Sequence, residues 1–180
     1  MESDEPIIRA RDLMERDVIM VTPEARLFDV HRLFVEEEIH GAPVVGDDTI
    51  VRGVVSTLDL LRVVRDELEP GAAAIVTTYF RDELPYSGSD WLRMPEDFQD
   101  RMQELTAADA MTREIVAVGP DAMVDDIARV MLEHHVHRVL VLKDRVLLGV
   151  ITTFDLLRVL SRVPATEPHA GLTRRTGYTR

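Results

Sequence analysis

Two places in the chain carry a hydroxyl side chain three residues before a carboxylate. Ser56 precedes Asp59 in the stretch GVVSTLD, and Thr152 precedes Asp155 in the stretch GVITTFD. This pattern is typical of a helix start, where hydroxyl and carboxylate oxygens accept hydrogen bonds from unpaired backbone N–H groups. The same pair of groups can also bond the two hydroxyls of a ribose. The spacing alone favours the helix start, and the two roles can coexist.

The two motifs belong to an internal duplication. Residues 10–45 match the segment 97 positions later, with 12 of 36 positions identical. Residues 53–63 match the segment 96 positions later, with 8 of 11 identical, so the first copy has one extra residue between 46 and 52. An internal repeat of this kind indicates a fold that is built from two copies of one supersecondary unit. We interpret the chain as two copies of one unit.

Each copy predicts the same order of elements, β-α-β-β-α, after a short helical lead-in at 10–14 or 107–111. Its strands and helices follow from short β-rich runs and from apolar residues at helical spacing. The predicted strands are 18–21, 42–45 and 50–55 in the first copy, and 115–118, 138–142 and 146–151 in the second; the closing helices begin at Thr57 and Thr153. A unit of this size buries little surface alone. We therefore expect one α/β (α+β) domain in which the two copies pack about a pseudo-twofold axis.

The predicted boundaries are 8–65 for repeat 1 and 106–161 for repeat 2. Between them, 66–105 forms an acidic insert with 10 acidic and 3 basic residues, and its helix is expected at 96–105. Four aromatic residues are unusual for a solvated linker, so we expect the insert to dock on the core or on a partner: Tyr79, Phe80, Tyr86 and Trp91. The basic tail, 162–180, is predicted to be mobile.

Composition excludes several classes of protein. The net charge of −12 opposes binding to nucleic acid or to anionic lipid through a basic face. The absence of cysteine excludes disulfides and thiolate metal sites. No apolar run approaches the ~20 residues of a membrane span, and the acidic start does not resemble a signal peptide. We expect a protein of the cytoplasm with no membrane or nucleic-acid partner.

The tandem β-α-β-β-α unit and its Gly-hydrophobic-hydrophobic-Ser/Thr-x-x-Asp signature resemble a pair of CBS domains, the Bateman module. The resemblance implies a regulatory module, not an enzyme, that binds AMP, ADP, ATP or S-adenosylmethionine in clefts between the copies. It requires no cofactor and often forms a homodimer. The resemblance also assigns ribose binding to Ser56 with Asp59 and to Thr152 with Asp155.

The same resemblance implies a phosphate contact at the start of the middle strand. Arg138 is the first candidate, because its planar donor fork suits phosphate oxygens, and His137 would assist. The alternative is a strand-edge pair that faces solvent. In the first copy Gly41 stands where Arg138 stands in the second. We therefore predict two unequal sites, with the site at Thr152, Asp155 and Arg138 the stronger.

An adenine ring needs an apolar slot, which the family builds from the first β-run and the middle strands. Core packing is the alternative role for most of the matching residues: Val18, Ile19, Pro43, Val44, Ile115, Val116, Val139 and Leu140. The histidines His134, His135 and His137 lack a ligand spacing diagnostic of a metal, so no metal site is expected. No catalytic constellation is evident.

Two functions remain open from the sequence. The first is a ligand-sensing regulatory protein. The second is a ligand-free interaction module that dimerises and docks a partner protein through 66–105. Hydrolysis of a bound nucleotide ranks last, because no base or metal site is evident.

Overall fold

The computed structural model describes residues 8–65 and 96–161 of the 180-residue chain. The predictions for 66–95, including those for Tyr79, Phe80, Tyr86 and Trp91, and for the tail at 162–180 lie outside the described residues. The helices are α1 (Ala10–Leu13), α2 (Leu27–Glu36), α3 (Thr57–Arg65), α4 (Glu96–Glu104), α5 (Ala107–Ala110), α6 (Val124–Glu133) and α7 (Thr153–Ser161). The strands are β1 (Gly41–Val45), β2 (Val51–Ser56), β3 (Ala117–Val118), β4 (Arg138–Lys143) and β5 (Val146–Thr152).

Each repeat forms a small sheet around an antiparallel hairpin. In repeat 1, β1 pairs with β2 from Gly41 opposite Ser56, and Val21 adds a single parallel bridge to Val44. In repeat 2, β3 runs parallel to β4, and β4 pairs antiparallel with β5 from Arg138 opposite Thr152. The predicted first strands are therefore shorter than expected, because only their last residues reach the sheet of their own repeat.

The preceding residues pair with the opposite repeat instead. Glu15 forms an antiparallel bridge with Val150 in β5, and Thr112 forms the equivalent bridge with Val54 in β2. In both bridges the N–H and C=O groups are exchanged at 2.9 Å. The segments 15–21 and 112–118 thus cross from one repeat to the other.

The lead-in helices α1 and α5 are exchanged in the same sense. Ala10 of α1 is fully buried in the core of repeat 2, beside Ile127 and Ile151. Ala107 of α5 is fully buried in the core of repeat 1, and its N–H donates to the Ala25 carbonyl at 2.8 Å. Each repeat therefore completes the core of the other, and the two form the single pseudo-twofold domain predicted from the sequence.

Part of the insert packs on the core of repeat 1. The predicted helix at 96–105 is present as α4, and its Phe98 and Met102 are completely buried against α2 and α3. Repeat 2 has a smaller core cluster and no equivalent of α4 in the described residues. The two halves of the duplication are thus packed differently on their outer faces.

The signature glycines allow the crossing segments to approach β2 and β5. A Cβ atom added to Gly53 would lie 2.6 Å from the Thr112 carbonyl oxygen, and one added to Gly149 would lie 2.5 Å from the Glu15 carbonyl oxygen. Real Cβ atoms do not approach backbone oxygens this closely, so any side chain would displace the crossing segment. The close approach of the crossing segment therefore explains why each signature contains a glycine, independently of any ligand.

Gly149→Ala is expected to lower the free energy of unfolding by about 1–3 kcal/mol, the usual range for overpacking a tight contact. Gly119→Ala is the matched control, because a Cβ atom there meets nothing within 4 Å. Urea unfolding followed by circular dichroism measures both changes. Equal midpoints for the two variants would contradict the close approach at Gly149.

His31 is an ionisable group within the core of repeat 1. It lies on the buried face of α2 with Leu27, Val30 and Phe34, and its duplicated position in repeat 2 is Ala128. Burial removes water from the imidazole and lowers the pKa of His31 from 6.5 to about 4. The neutral form is therefore the one that the folded protein holds.

Stability should fall as the pH drops from about 6.5 towards about 4, because the unfolded chain then binds a proton that folded His31 resists. The full stabilisation is present above pH 6.5, and the loss is up to about 3 kcal/mol at ~1.4 kcal/mol per pKa unit. Urea unfolding across this pH range measures it. His31→Gln should show a shallower pH dependence than the wild type, and identical slopes would contradict the assignment.

Candidate functional site

The carboxylate of Asp59 is fixed at the junction of β2 and α3. Its Oδ2 accepts hydrogen bonds from the Ser56 backbone N–H at 2.8 Å and from the Ser56 hydroxyl at 2.5 Å. Its Oδ1 accepts a hydrogen bond from the Thr112 hydroxyl at 3.3 Å, and the Arg62 guanidinium lies 3.7 Å from the same oxygen. Only 8% of Asp59 is exposed. This carboxylate already has partners on both oxygens.

Asp155 occupies the equivalent junction of β5 and α7. Its Oδ2 accepts hydrogen bonds from the Thr152 backbone N–H at 2.8 Å and from the Thr152 hydroxyl at 2.7 Å. Its Oδ1 lies 3.1 Å from the Arg158 guanidinium, whose side chain is about half exposed. Glu15 occupies the position that matches Thr112, so no hydroxyl from the crossing segment reaches this carboxylate in the described residues. The Asp155 carboxylate is the more accessible of the two.

These contacts confirm the helix-start interpretation of both motifs. A third pair, Thr106 and Asp109, makes the same two bonds at the start of α5, at 2.7 and 2.8 Å. Hydrogen bonding from Thr106 lowers the pKa of Asp109 below its ordinary value. A hydroxyl and a carboxylate at this spacing can therefore cap the start of a helix without any ligand. What distinguishes the other two pairs is their position beside the crossing segments.

The structure brings Arg138 to the Thr152 corner. Arg138 is the first residue of β4 and stands directly opposite Thr152 in the antiparallel register. The preceding residue, His137, accepts the Thr153 backbone N–H through its carbonyl oxygen at 3.0 Å. The side chains of Arg138 and His137 are exposed, and no ion pair joins Arg138 to another described residue. An exposed guanidinium and a hydroxyl–carboxylate pair thus share one end of the β4–β5 hairpin.

Repeat 1 has the same backbone at this corner without the cation. Gly41 stands opposite Ser56, and the His40 carbonyl accepts the Thr57 N–H at 3.0 Å. A Cβ atom at Gly41 would lie 3.1 Å from the Val55 carbonyl oxygen and 3.4 Å from the Cβ atom of Ser56. The departure at Gly41 therefore removes a charge and also leaves little room to restore it.

The residues of the proposed adenine slot fall into two groups. Val139 of β4 and Val44 of β1 are buried in the cores of their repeats, Leu140 and Pro43 are also buried, and Val116 packs against the core of repeat 2. The core-packing alternative accounts for this group. Val18, Ile19 and Ile115 are half-buried on the crossing segments, where they retain surface for a ligand.

Three polar neighbours of the two carboxylates were not found from the sequence. The signal for Arg62 and Arg158 was present, because both copies carry an arginine three residues after the aspartate, which is one turn further along a helix. Thr112 had no such signal. It meets Asp59 only because the crossing segment brings together residues 53 positions apart.

Family models decide the relationship. The model of the CBS domain matches residues 10–66 and 107–162. The chain belongs to the CBS domain family. Both matched segments coincide with the two repeats, so the chain holds a CBS pair.

Proteins of several organisms are similar to this chain in sequence or in fold. An uncharacterised protein of Methanocaldococcus jannaschii is 29% identical over 157 residues, which cover 86% of this chain and 92% of that protein. CBSX2 of Arabidopsis thaliana, solved in complex with AMP, is 24% identical with a TM-score of 0.60, covering 86% and 96% of the two chains. The CBS domain pair of protein MJ0100, solved with 5′-methylthioadenosine and S-adenosyl-L-methionine, is 18% identical with a TM-score of 0.57, covering 87% and 98%.

Within 8–65 and 96–161, no group of three His, Asp or Glu side chains is arranged to hold a metal ion. None of the helices described is both long enough and apolar enough to cross a membrane.

Proposed function

We propose that this CBS pair is a regulatory module, without catalytic activity, that binds an adenosine ligand in the cleft at the start of α7. The observation that carries this proposal is the placement of Arg138 opposite Thr152, one helical turn from Asp155. Thr152 and Asp155 would hold the ribose, Arg138 the phosphate, with His137 assisting, and Val18 and Ile19 would border the adenine. AMP is the smallest of the candidate ligands that would use all of these groups.

The ligands of the similar proteins support the division of roles. CBSX2 holds AMP, whereas MJ0100 holds two adenosine compounds without a phosphate. Adenosine is their common part, which fits ribose contacts from the hydroxyl–carboxylate pair. The phosphate contact is the variable part, which fits an arginine present in one repeat and absent from the other. ADP, ATP and S-adenosylmethionine remain test ligands for the same cleft.

The second cleft, at Ser56 and Asp59, is proposed to bind more weakly. The crossing segment already donates the Thr112 hydroxyl to Oδ1 of Asp59, and Gly41 provides no cation. A ligand there would have to displace the Thr112 hydroxyl, whereas Asp155 has only the exposed Arg158 on its outer oxygen. The two clefts therefore have unequal affinities for a charged nucleotide.

A binding event at the Asp155 cleft has a route to a structural response. The cleft is bordered by β5 and α7 of repeat 2 and by the crossing segment 15–21, which ends in the sheet of repeat 1. A ligand shifts an equilibrium only if it binds two arrangements with different affinity. A ligand that contacts both repeats would bind two arrangements of the repeats with different affinities, because a change in how the repeats pack alters the shape of the cleft.

AMP is expected to raise the stability of the full chain in a saturable way, by about 2.7 kcal/mol at 100 times its dissociation constant. Asp155→Ala should abolish the effect. Asp126→Ala is the matched control, because Asp126 forms a similar ion pair with an arginine three residues on, at 3.0 Å, in the first turn of α6 and not at the Thr152 corner. Thermal and urea unfolding with AMP, ADP, ATP and S-adenosylmethionine measure these changes.

If no ligand stabilises the wild type, or if Asp155→Ala responds as Asp126→Ala does, the ligand-free interaction module becomes the better account. The closed hydrogen bonds at Ser56 and Thr152 favour that alternative, because they need no ligand to complete them. Its expected output is dimerisation and docking of a partner protein through 66–105.

Arg138→Gln should lower the affinity for AMP by roughly tenfold or more, the usual loss for a charge-assisted phosphate contact. Adenosine, which has no phosphate, should bind the variant and the wild type equally. Isothermal titration calorimetry with both ligands separates the two effects. An equal loss for adenosine would show that Arg138 shapes the cleft and does not hold the phosphate.

We further propose that α7 mediates homodimerisation. Its outer face exposes Phe154, Leu157 and Leu160, with Leu160 78% exposed, and these three residues line a shallow apolar groove. Contiguous apolar surface of this kind marks an interaction site. Sedimentation equilibrium should show a dimer for the wild type and a monomer for Leu157→Glu, and a monomeric wild type would contradict the proposal.

A further inference from the structure

An arginine-lined cleft lies between the repeats, near the start of β2. Its volume is about 530 Å³, and it is lined by Pro23, Arg52, Ala108, Met111, Arg113 and Arg145. Arg52 is the second residue of β2 and Ser56 is the last. At ~3.3 Å per residue along a strand, the two positions are about 13 Å apart. Arg52 thus enters the cleft from the end of β2 opposite to Ser56.

The three arginines reach the cleft from three separate segments. Arg52 comes from β2, Arg113 from the crossing segment after α5, and Arg145 from the turn between β4 and β5. The Arg52 guanidinium donates to Asp48 at 2.6 Å, and the Arg145 guanidinium donates to the Val51 carbonyl at 3.0 Å. Arg113 has no ion pair with the described residues. The cleft therefore has three cationic side chains, of which Arg52 is paired with a carboxylate. Its local charge is positive, although the whole chain has a net charge of −12.

The turn that carries Arg145 is held in an unfavourable backbone conformation. Asp144 and Arg145 have φ values of 53° and 66°, as in the two-residue hairpin turns that favour glycine at the second position. Arg145 is kept there by repeat 1, because its carbonyl accepts the Val51 N–H at 3.0 Å while its side chain bonds the Val51 carbonyl. The strained residue therefore presents its guanidinium to a cleft that residues of both repeats line.

The cluster is not a by-product of the duplication. The duplicated positions of Arg52, Arg113 and Arg145 are Leu148, Arg16 and Thr49, so the opposite face keeps one arginine of three. On that face Arg16 donates to the Arg11 carbonyl, and Arg11 pairs with Asp121. The positive cleft therefore exists on one face of the pseudo-twofold domain only.

We propose that this cleft is a separate binding site for a phosphate-type oxyanion of about the size of pyrophosphate. Guanidinium groups bind phosphate oxygens through paired, charge-assisted hydrogen bonds, and three of them converging from both repeats would clamp such an anion between the repeats. The volume falls within the range of small-molecule sites. The site is independent of the adenosine cleft, and its occupant would join repeat 1 to repeat 2 at the Arg145 turn.

The test is isothermal titration calorimetry of the full chain with sodium pyrophosphate at constant ionic strength. Saturable binding of one anion per chain is expected, weakened roughly tenfold or more in Arg113→Gln and in Arg52→Gln. Arg129→Gln is the matched control, because it removes one exposed cation from α6 and should bind as the wild type does. Absence of saturable binding, or equal affinity in Arg113→Gln and Arg129→Gln, would overturn the proposal.

Two further arms separate this site from the adenosine cleft. Asp155→Ala should bind pyrophosphate normally, and excess adenosine should not compete with it. Loss of pyrophosphate binding in either arm would place the anion in the adenosine cleft and would also overturn the separate site. Inorganic phosphate is expected to bind more weakly than pyrophosphate, since one phosphate group cannot contact all three arginines.

Discussion

The exchange of backbone between the two repeats is the constraint on which the rest of the structure depends. Glu15 pairs with Val150 and Thr112 pairs with Val54, and each pairing needs a glycine beside it in the adjoining strand. Because α1 and α5 are exchanged as well, neither repeat has a complete core of its own. The two hydroxyl–carboxylate corners lie beside the crossing segments, where each segment leaves one repeat for the other.

Pseudo-symmetry gives two similar corners, and single substitutions make them chemically different. The backbone at Ser56 and at Thr152 is held by the same bonds, from the capping contacts to the carbonyl that receives the next N–H. Gly41 against Arg138 changes the charge, and Thr112 against Glu15 changes the occupancy of the carboxylate. The Thr152 corner thus has an exposed arginine on the facing strand, whereas the Ser56 corner has a glycine there and an additional hydroxyl on its carboxylate.

Much of the fold could be predicted from the sequence, because the two copies can be aligned with each other and each supports the elements predicted in the other. The helix starts, the hairpins and α4 were found from local patterns of hydroxyl, carboxylate and apolar residues. The first strands were predicted too long, since β-rich composition at 18–21 does not show that Glu15 pairs elsewhere. The role of Gly53 and Gly149 and the contact of Thr112 with Asp59 also went unseen, because they arise from segments that are distant in sequence. Val139 shows the same limit, since an apolar residue of a middle strand is suited equally to a slot and to a core.

Native-state hydrogen exchange at the four amides of the crossing bridges, those of Glu15, Val54, Thr112 and Val150, tests the central claim most directly. These N–H groups donate across the two repeats at 2.9 Å. If the repeats form one cooperative unit, the four amides should exchange only through global unfolding, with the same free energy as core amides of β2 and β5. Exchange through a local opening of much lower free energy, with the core of each repeat still protected, would contradict the account.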